Sequence, residues 1–588
     1  MKLSVNRNIV WCDLFVNRLS QLGVRYASIS PGSRSTSLTL AFASNKLIAL
    51  FPIVDERSSA FFALGLAKKT NTPVAIVTTS GTAVAELYPA IIEAYYQRVP
   101  LIICTADRPH LLRNRGANQT INQRNIYKNH IRYFVDAGLP DINKLSTVKK
   151  IAEDAIRYSC LADKGPVHIN FPFEKPFEPK SYTDIMEVGD IEKTFVNSSF
   201  ELTPINRSKV NYKSIAKKFA GAECGLIIVG INNYRKDFAK QITHFSKKFG
   251  YPIYVDGSSS YRFGKYLKEN LIDNLTSLIR AKDFQKSFDP EIIIQFGGAP
   301  TSNILLEFFK RSKAEKILVN EFGDKNDPSL SAKTILKDDP AEFIENILQA
   351  DKNNGNRDSR WLINYHVMNN IAEQLKNQFI KKIKFPFEAR IVTELIESLP
   401  DKSNLMISNS LPIRDTDFFA TSSSKQLNIF ANRGASGIDG INSTALGIAK
   451  ASKEKSYLLV GDLAFYHDLN GLHNAIKFDI PLTVILINNG GGGIFESLPI
   501  SEYKDQFRDN FFTPLNIDFK KLVEAYGGGY HKIKSWKDLK ERVILSSKNK
   551  KLTVLEIQTD AKESKLLRQK YWNAVSIRIV KFINEIKS

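Results

Sequence analysis

The chain has 588 residues, 43% of them apolar and 24% charged, which is material for three or four domains with cores of their own at about 150 residues each. The formal net charge is +21. The basic residues are nevertheless spread along the chain, with no long block and no aromatic interleaving, which argues against nucleic-acid binding and for an enzyme surface whose field suits small anions. No run of about 18 apolar residues is present, so no membrane span is expected. The first residues, MKLSVNRNIVWCDLF, lack the apolar stretch of a secretory signal, so a cytoplasmic protein is expected. Cys12, Cys104, Cys160 and Cys224 form no C-x-x-C pair, which argues against disulfides and a zinc site.

Short runs rich in Val and Ile alternate with amphipathic stretches: PVAIVTT (73–79), CGLIIVGI (224–231), EIIIQFG (291–297), SYLLVGD (456–462) and PLTVILINN (481–489). Such apolar strands, alternating with helices, predict parallel sheets covered on both faces. The fold class is α/β, with three domains each built on a mainly parallel sheet covered by helices. Two polar stretches read as linkers, Phe173 to Arg207 and residues 350–360, and they divide the chain into 1–185, 200–350 and 360–588.

In the first segment, ISPGSRST (29–36) carries a strand into a polar loop with an arginine. The strand IALFPIVD (48–55) then leads to Glu56-Arg57 and an amphipathic helix, SSAFFALGLAKKT. VTTSGTAVAELYPAIIEA (77–94) follows as a strand and helix, with Gly81 at the corner. The middle segment lacks a Gly-rich dinucleotide fingerprint. The third segment repeats the strand-loop-arginine device in ISNSLPIRD (407–415), which hints that the outer segments are related. In open α/β sheets ligands bind outside the carboxyl ends of the strands, where such loops lie.

The most specific motif follows. One strand ends in Gly461-Asp462, and after a helix-length interval a second ends in Asn488-Asn489, followed by glycines 490–493. A βαβ unit brings both ends to the same sheet edge. One carboxylate, one amide oxygen and a carbonyl from the glycine run, that of Gly491, suit Mg²⁺, which takes hard oxygen ligands and keeps positions for phosphate oxygens and water. A helix starting after Gly461-Asp462 would offer N–H groups to a diphosphate.

This GD…NN pattern resembles the cofactor signature of thiamine-diphosphate enzymes. The resemblance implies thiamine diphosphate with Mg²⁺ (Mn²⁺ possible as a substitute), and Glu56 as the one catalytic carboxylate, bonded to the pyrimidine ring of the cofactor. It also explains why eight histidines form no triad-like or metal-like cluster, because the cofactor supplies its own base and electron sink. A narrower resemblance rests on SPGSRST (30–36), DERSSAFFALGLA (55–67), TADRP (105–109), GANQTIN (116–122), SNSLPIRD (408–415), NRGASGIDG (432–440) and GGIFESLP (492–499). In that order they resemble the 2-succinyl-5-enolpyruvyl-6-hydroxy-3-cyclohexene-1-carboxylate synthase family of menaquinone biosynthesis.

That resemblance implies decarboxylation of 2-oxoglutarate and addition of the succinyl unit to isochorismate by a homodimer or homotetramer. It implies that Ser33, Arg34, Arg108 and Gln119 face isochorismate, and that Ser410, Arg414 and Arg433 face the part derived from 2-oxoglutarate. Glu56, Ser410, Ile438, Gly461, Asp462 and Asn489 would contact the cofactor. Ile438 would hold it bent, and Ile494 and Phe495 would form an apolar wall. Asp462, Asn489 and Gly491 would hold the metal. Planar guanidinium groups are the expected partners for substrates with several carboxylates. One departure stands in FGGAPTSNILLEF (296–308), where the family pattern has a lysine near Asn303. The rival is another carboligase or decarboxylase of the same cofactor class, such as an acetolactate synthase, for which four arginines would be excessive.

Overall fold

The computed structural model of the chain describes residues 2–161, 163–189, 195–196, 200, 209–266, 268–352 and 355–587. Three parallel sheets organise it. The first has six strands in the order Ala49–Pro52, Tyr26–Ile29, Val74–Thr78, Leu101–Asp107, Val167–Pro172 and Tyr133–Asp136. The third has six in the order Asn428–Phe430, Asn404–Ile407, Ser456–Gly461, Thr483–Asn488, Thr553–Gln558 and Gly529–Lys532. Ranked by position along their own segments, both run second, first, third, fourth, sixth, fifth, so the outer segments share one topology. The central sheet has five strands, Ile253–Val255, Gly225–Val229, Ile292–Phe296, Glu315–Asn320 and Ala332–Lys337.

The central strands are apolar and fully buried, as in Val74–Thr78, Gly225–Val229 and Ile292–Phe296. Two-sided burial follows from helices on both faces, which parallel crossovers require. The helix Arg360–Lys382 and the terminal helix Ala561–Lys587 lie against the central sheet, where Trp361, Tyr365, Tyr571 and Ile579 join a core with Leu226 and Ile293. The linker expected from Phe173 to Arg207 lies partly outside the described residues. Its described part holds the strand Asp184–Glu187, which pairs antiparallel with Lys2–Val5. In the second linker, residues 353 and 354 lie outside the described residues.

One large core joins the outer domains: Phe51, Phe62 and Ile76 of the first belong to the same buried cluster as Leu446, Leu458 and Val484 of the third. Its axis is a crossing between the helices Glu56–Thr70 and Ile441–Lys450. The first of these is buried at every position from Ser58 to Ala67, which corrects the expectation of an amphipathic helix. It is covered by its own sheet on one side and by the second helix on the other, so no face remains for solvent. Glycine makes the approach possible. A Cβ on Gly65 would stand 2.1 Å from the carbonyl oxygen of Thr444, and one on Gly447 would stand 2.1 Å from that of Phe62.

A Gly65→Ala change would regain about 1 kcal/mol of helix propensity. The clash is with backbone, however, and must push the whole crossing apart, an overpacking that costs about 1–3 kcal/mol or more. Net destabilisation is expected, read as a fall in Tm; an unchanged or raised Tm would show that the helices part freely.

Candidate functional site

The loops after the carboxyl ends of the first and third sheets carry the residues singled out by the motifs. Asp462 opens the helix Asp462–His467 directly after the strand Ser456–Gly461, and Asn489 follows Thr483–Asn488, the neighbouring strand of the same sheet. Asp462 is 2% exposed. Its Oδ1 accepts from the Leu463 amide at 2.8 Å. Its Oδ2 is buried without a partner among the described residues, and so is Oδ1 of Asn489. Two buried oxygens left unsatisfied at adjacent strand ends are costly unless a ligand completes them. Burial pushes the Asp462 carboxyl up to about 7, against the pull of the Leu463, Gly490 and Gly491 amides. Among the described residues no group of three or more His, Cys, Asp and Glu is placed to hold a metal, so an acid-plus-amide set is the available oxygen site.

The glycine run is pinned beside this pair. Gly491 has φ 156° and lies under Phe512, where a Cβ would meet the Phe512 carbonyl oxygen at 2.3 Å. The Gly492 amide donates to that same carbonyl at 2.6 Å. Gly461 differs, since a Cβ there would project into open space. The room beside it is of the kind a diphosphate fills.

Asn489 owes its orientation to a network that the motifs did not reveal. Its Nδ2 donates to Glu388 Oε1 at 2.9 Å, and Arg568 bridges Glu388 Oε2 (2.5 Å) and both oxygens of Asp415 (2.7 and 2.5 Å). Asp415 stands next to Arg414 on the helix Leu411–Phe419. That helix is gripped at its other end too. Asp417 Oδ1 accepts from the Tyr254 hydroxyl (2.5 Å) and the Gly257 amide (2.8 Å), and Arg262 donates to the Asp417 and Ala420 carbonyls (2.9 and 3.0 Å).

Ser410 precedes the helix with φ 74° and ψ −131°, a region normally left to glycine, and its side chain makes no capping bond. Such strain in a non-glycine residue is held by its surroundings and is common at ligand sites. Arg414 donates to the Ser410 carbonyl at 2.7 Å, and Arg433 to Asn409 Oδ1 at 3.0 Å. Burial and then the neighbouring Arg433 lower the Arg414 pKa. The Arg433 loop is fastened from the first domain: buried Glu93 accepts the Gly434 and Ala435 amides at 2.7 Å, and half-buried Lys68 donates to the Ala431 carbonyl and Asn432 at 2.7 Å.

A second arginine pair stands at the first sheet. Arg34, in the short 3-10 turn Ser33–Ser35, donates to the Phe173 carbonyl at 2.7 Å and lies over the Phe177 ring; its Nε is buried without a partner among the described residues. Arg108 donates to Ser80 Oγ at 3.0 Å and to the Asn118 carbonyl at 2.7 Å, while Ser80 Oγ donates to the Gln119 carbonyl at 2.9 Å. Gly32 presses on Thr79, with 2.3 Å between a Cβ on it and Thr79 Cβ. Residues 79–81 thus meet Arg108 and Gln119 directly and touch Gly32, which leads into the turn carrying Ser33 and Arg34. Burial, and next the Arg108 charge, bring Arg34 down to about 10.

Arg414 and Ile494 line one cavity of about 1600 Å³ together with Asn303, Arg280 and Lys565. Asn303 therefore faces a shared cavity in which other cations stand. Arg280 stacks on Trp572 at 3.7 Å, with its Nε buried and unpartnered among the described residues. Phe495 packs on Phe511, and Ile438 is half-buried against the large core.

Glu56 begins its helix with Asp55 as the cap. It is half-buried, and burial, followed by the Asp55 and Glu86 charges, raises its pKa despite a backbone bond that lowers it. Next to it, Arg57 donates to the His467 carbonyl at 3.0 Å, and Asp55 accepts from Asn470 at 3.2 Å. Within one chain the Glu56 end therefore meets the far end of the helix that Asp462 opens.

Residues 11–126 match the thiamine pyrophosphate enzyme N-terminal TPP binding domain, 206–407 the middle domain of thiamine pyrophosphate enzymes, and 420–557 their C-terminal TPP binding domain. The fold is also that of benzoylformate decarboxylase from Polynucleobacter necessarius, with a TM-score of 0.68, 16% identity, and 94% of this chain and 98% of that one covered. Three parallel-sheet domains, matched in order by these three family models, make the chain a thiamine-diphosphate enzyme. The chain is 37% identical to the 2-succinyl-5-enolpyruvyl-6-hydroxy-3-cyclohexene-1-carboxylate synthase of Bacillus cytotoxicus over 571 residues, 96% of each chain. It is 37% identical to that of Geobacillus kaustophilus over 579 residues, 97% of this chain and 98% of that one, and 35% identical to that of Listeria innocua over 568 residues, 96% of each. It belongs to this synthase family.

The Asp462 carboxyl, raised from 3.8 to about 7, is accommodated protonated. The stability it contributes is present at acid pH and is lost as pH rises from 3.8 towards about 7. A divalent cation must displace the proton, so Mg²⁺ uptake with thiamine diphosphate is expected to weaken about tenfold per pH unit below about 7. Calorimetry in buffers of different ionisation enthalpy should read about one proton released at pH 6 and almost none at pH 8; equal release at both would contradict the raised carboxyl.

Proposed function

We propose that the chain decarboxylates 2-oxoglutarate and adds the succinyl unit to isochorismate, using thiamine diphosphate and Mg²⁺. The observation that carries this reading is the pairing of arginines. Arg34 with Arg108, and Arg414 with Arg433, stand as like charges near enough to depress one member of each pair. Among the described residues, their side-chain hydrogen bonds go to carbonyl, amide or hydroxyl oxygens and not to carboxylates. Two such pairs suit two substrates that each carry two carboxylates, and they exceed what pyruvate would need. This favours the synthase reaction over that of an acetolactate synthase.

Thiamine diphosphate, when bound, supplies the electron sink for decarboxylation and its own base. Asp462 and Asn489, with the Gly491 carbonyl, would hold Mg²⁺ against the diphosphate. Glu56, with its raised carboxyl, is suited to hold a proton at the pyrimidine ring, and Ile438 to support the cofactor from below. Arg414 and Arg433 would fix the carboxylates of the 2-oxo acid beside the strained Ser410. Arg34 and Arg108, with Ser33 and Gln119, would fix isochorismate. Ile494 and Phe495 would exclude water, which would favour loss of CO₂.

The contacts of Arg57 and Asp55 at the far end of the Asp462–His467 helix support a site shared between two chains, in a dimer or a dimer of dimers. Small water-soluble substrates fit a cytoplasmic setting.

Three measurements test the proposal. CO₂ release should be faster from 2-oxoglutarate than from pyruvate; the reverse preference would move the assignment to the rival. Glu56→Gln should lose at least about a hundredfold in turnover, while near-normal turnover removes Glu56 from the chemistry. Inactive Glu56→Gln and Asp462→Ala chains, co-expressed, should regain activity through one intact site per mixed dimer; no recovery would place both residues of a site in one chain.

A further inference from the structure

The geometry points to Glu388 and Arg568 as positioning residues that set the metal ligand Asn489 and, through Asp415, the substrate-binding Arg414 as one unit. This rests on the reading above that Asp462 and Asn489 hold a divalent cation.

An asparagine amide can lie either way round, and only one way turns its oxygen to a metal. Glu388 selects that way. Its Oε1 accepts the Asn489 Nδ2 at 2.9 Å and the Thr559 hydroxyl at 3.2 Å. A flipped amide would set Oδ1 against a carboxylate, acceptor against acceptor. Glu388 is itself held by Arg568, which also grips Asp415 through Nε and Nη2. Glu388 is 1% exposed and Asp415 and Arg568 are 1% and 4%, so little solvent screens the group.

The four residues come from four places: Glu388 opens the helix Glu388–Ser398, Asn489 follows a strand, Asp415 lies on Leu411–Phe419 and Arg568 on the terminal helix. Buried ion networks are poor sources of stability, because desolvation offsets the attraction and apolar residues of like volume do as well. A purely structural role therefore does not account for this one. Two carboxylates share one guanidinium, which leaves net negative charge directly behind the Asp462–Asn489 pair. That charge would favour a dication in front of it. Outer partners of this kind typically set metal affinity by about ten- to a hundredfold. Because Asp415 neighbours Arg414, the guanidinium that orients Asn489 also fixes the rotation of the helix bearing Arg414.

The test compares wild type, Glu388→Gln, Arg568→Lys and, as a control, Tyr571→Phe, which alters a buried hydroxyl on the same helix without a partner among the described residues. Mg²⁺ is titrated calorimetrically into each full-length protein with excess thiamine diphosphate. Melting temperature, and KM and kcat for 2-oxoglutarate at saturating Mg²⁺, are measured alongside. Glu388→Gln and Arg568→Lys should raise half-saturating Mg²⁺ by about tenfold or more. Arg568→Lys, which keeps the charge but loses the fork, should also raise KM more than it lowers kcat. Tyr571→Phe should shift melting at most. Lowered melting with Mg²⁺ uptake unchanged would overturn the proposal and leave the pair structural. Absence of Mg²⁺ uptake by wild type would overturn the metal reading and this proposal with it. Arg568→Lys decides alone if Glu388→Gln does not yield folded protein.

Discussion

The helices Glu56–Thr70 and Ile441–Lys450 can lie against each other only because Gly65 meets the backbone of one and Gly447 the backbone of the other, a reciprocal contact with no side chain between. Mid-helix glycine costs about 1 kcal/mol against alanine, and the chain bears that cost twice for one crossing. The depth of the approach makes a single core of two sheets. It also brings polar groups of both domains into contact. The Ser58 hydroxyl meets that of Ser443 at 2.8 Å, and Ser443 in turn donates through its amide and hydroxyl to buried Asp468 at 2.7 and 3.0 Å. A looser crossing would part Ser58 from Ser443 and from the Asn474 amide that donates to it at 3.1 Å, leaving buried polar groups without those partners, a penalty beyond lost apolar contact.

That docking fixes where the loops point. Lys68, on the same helix as Gly65, is half-buried, its pKa held down to about 8 by desolvation, and it reaches the Ala431 carbonyl and Asn432. Glu93 ties the amides of residues 434–436 from the same side. The loop that presents Arg433 is therefore built by the third domain and shaped by the first. The helix that presents Arg414 is held between the central domain, at Tyr254 and Arg262, and the terminal helix, at Arg568. Arg414 and Arg433 are thus each aimed by residues from another domain, the kind of preorganisation that a carboxylate site would demand.

Much of this was legible in the chain. Val- and Ile-rich runs gave the parallel sheets because strands buried on both faces have no polar side to show. The loops at Arg34, Arg108, Arg414 and Asp462 could be read because strand ends in α/β sheets are where chemistry gathers, and GD…NN has a spacing that the βαβ unit enforces. The amphipathic reading of residues 58–70 failed because Ser and Lys suggested a wet face that Gly65 instead allowed a second helix to cover. Glu388, Arg568, Glu93 and Lys68 were not legible at all. They are ordinary charged residues lying far along the chain from the groups they hold, and nothing local distinguishes them from a solvated surface until the fold removes the solvent. Ser410 is intermediate: its motif was visible, while its positive φ is a tertiary fact.

The site is electrostatically incomplete in two opposite senses. Around the motif arginines, like charges stand close enough to depress Arg34 and Arg414, and the side-chain hydrogen bonds among the described residues go to neutral oxygens. At the third sheet, Asp462 Oδ2 is buried without a partner among the described residues, and burial has already pushed that carboxyl to about 7. Folding alone does not favour either arrangement, since like charges in a partly dry setting repel. Both become favourable when carboxylates enter the first and a dication the second. The fold contains these repulsions without opening because neither cluster lies on the Gly65–Gly447 crossing. The energy that holds the domains together is apolar and steric, and the charges are left to respond to what binds.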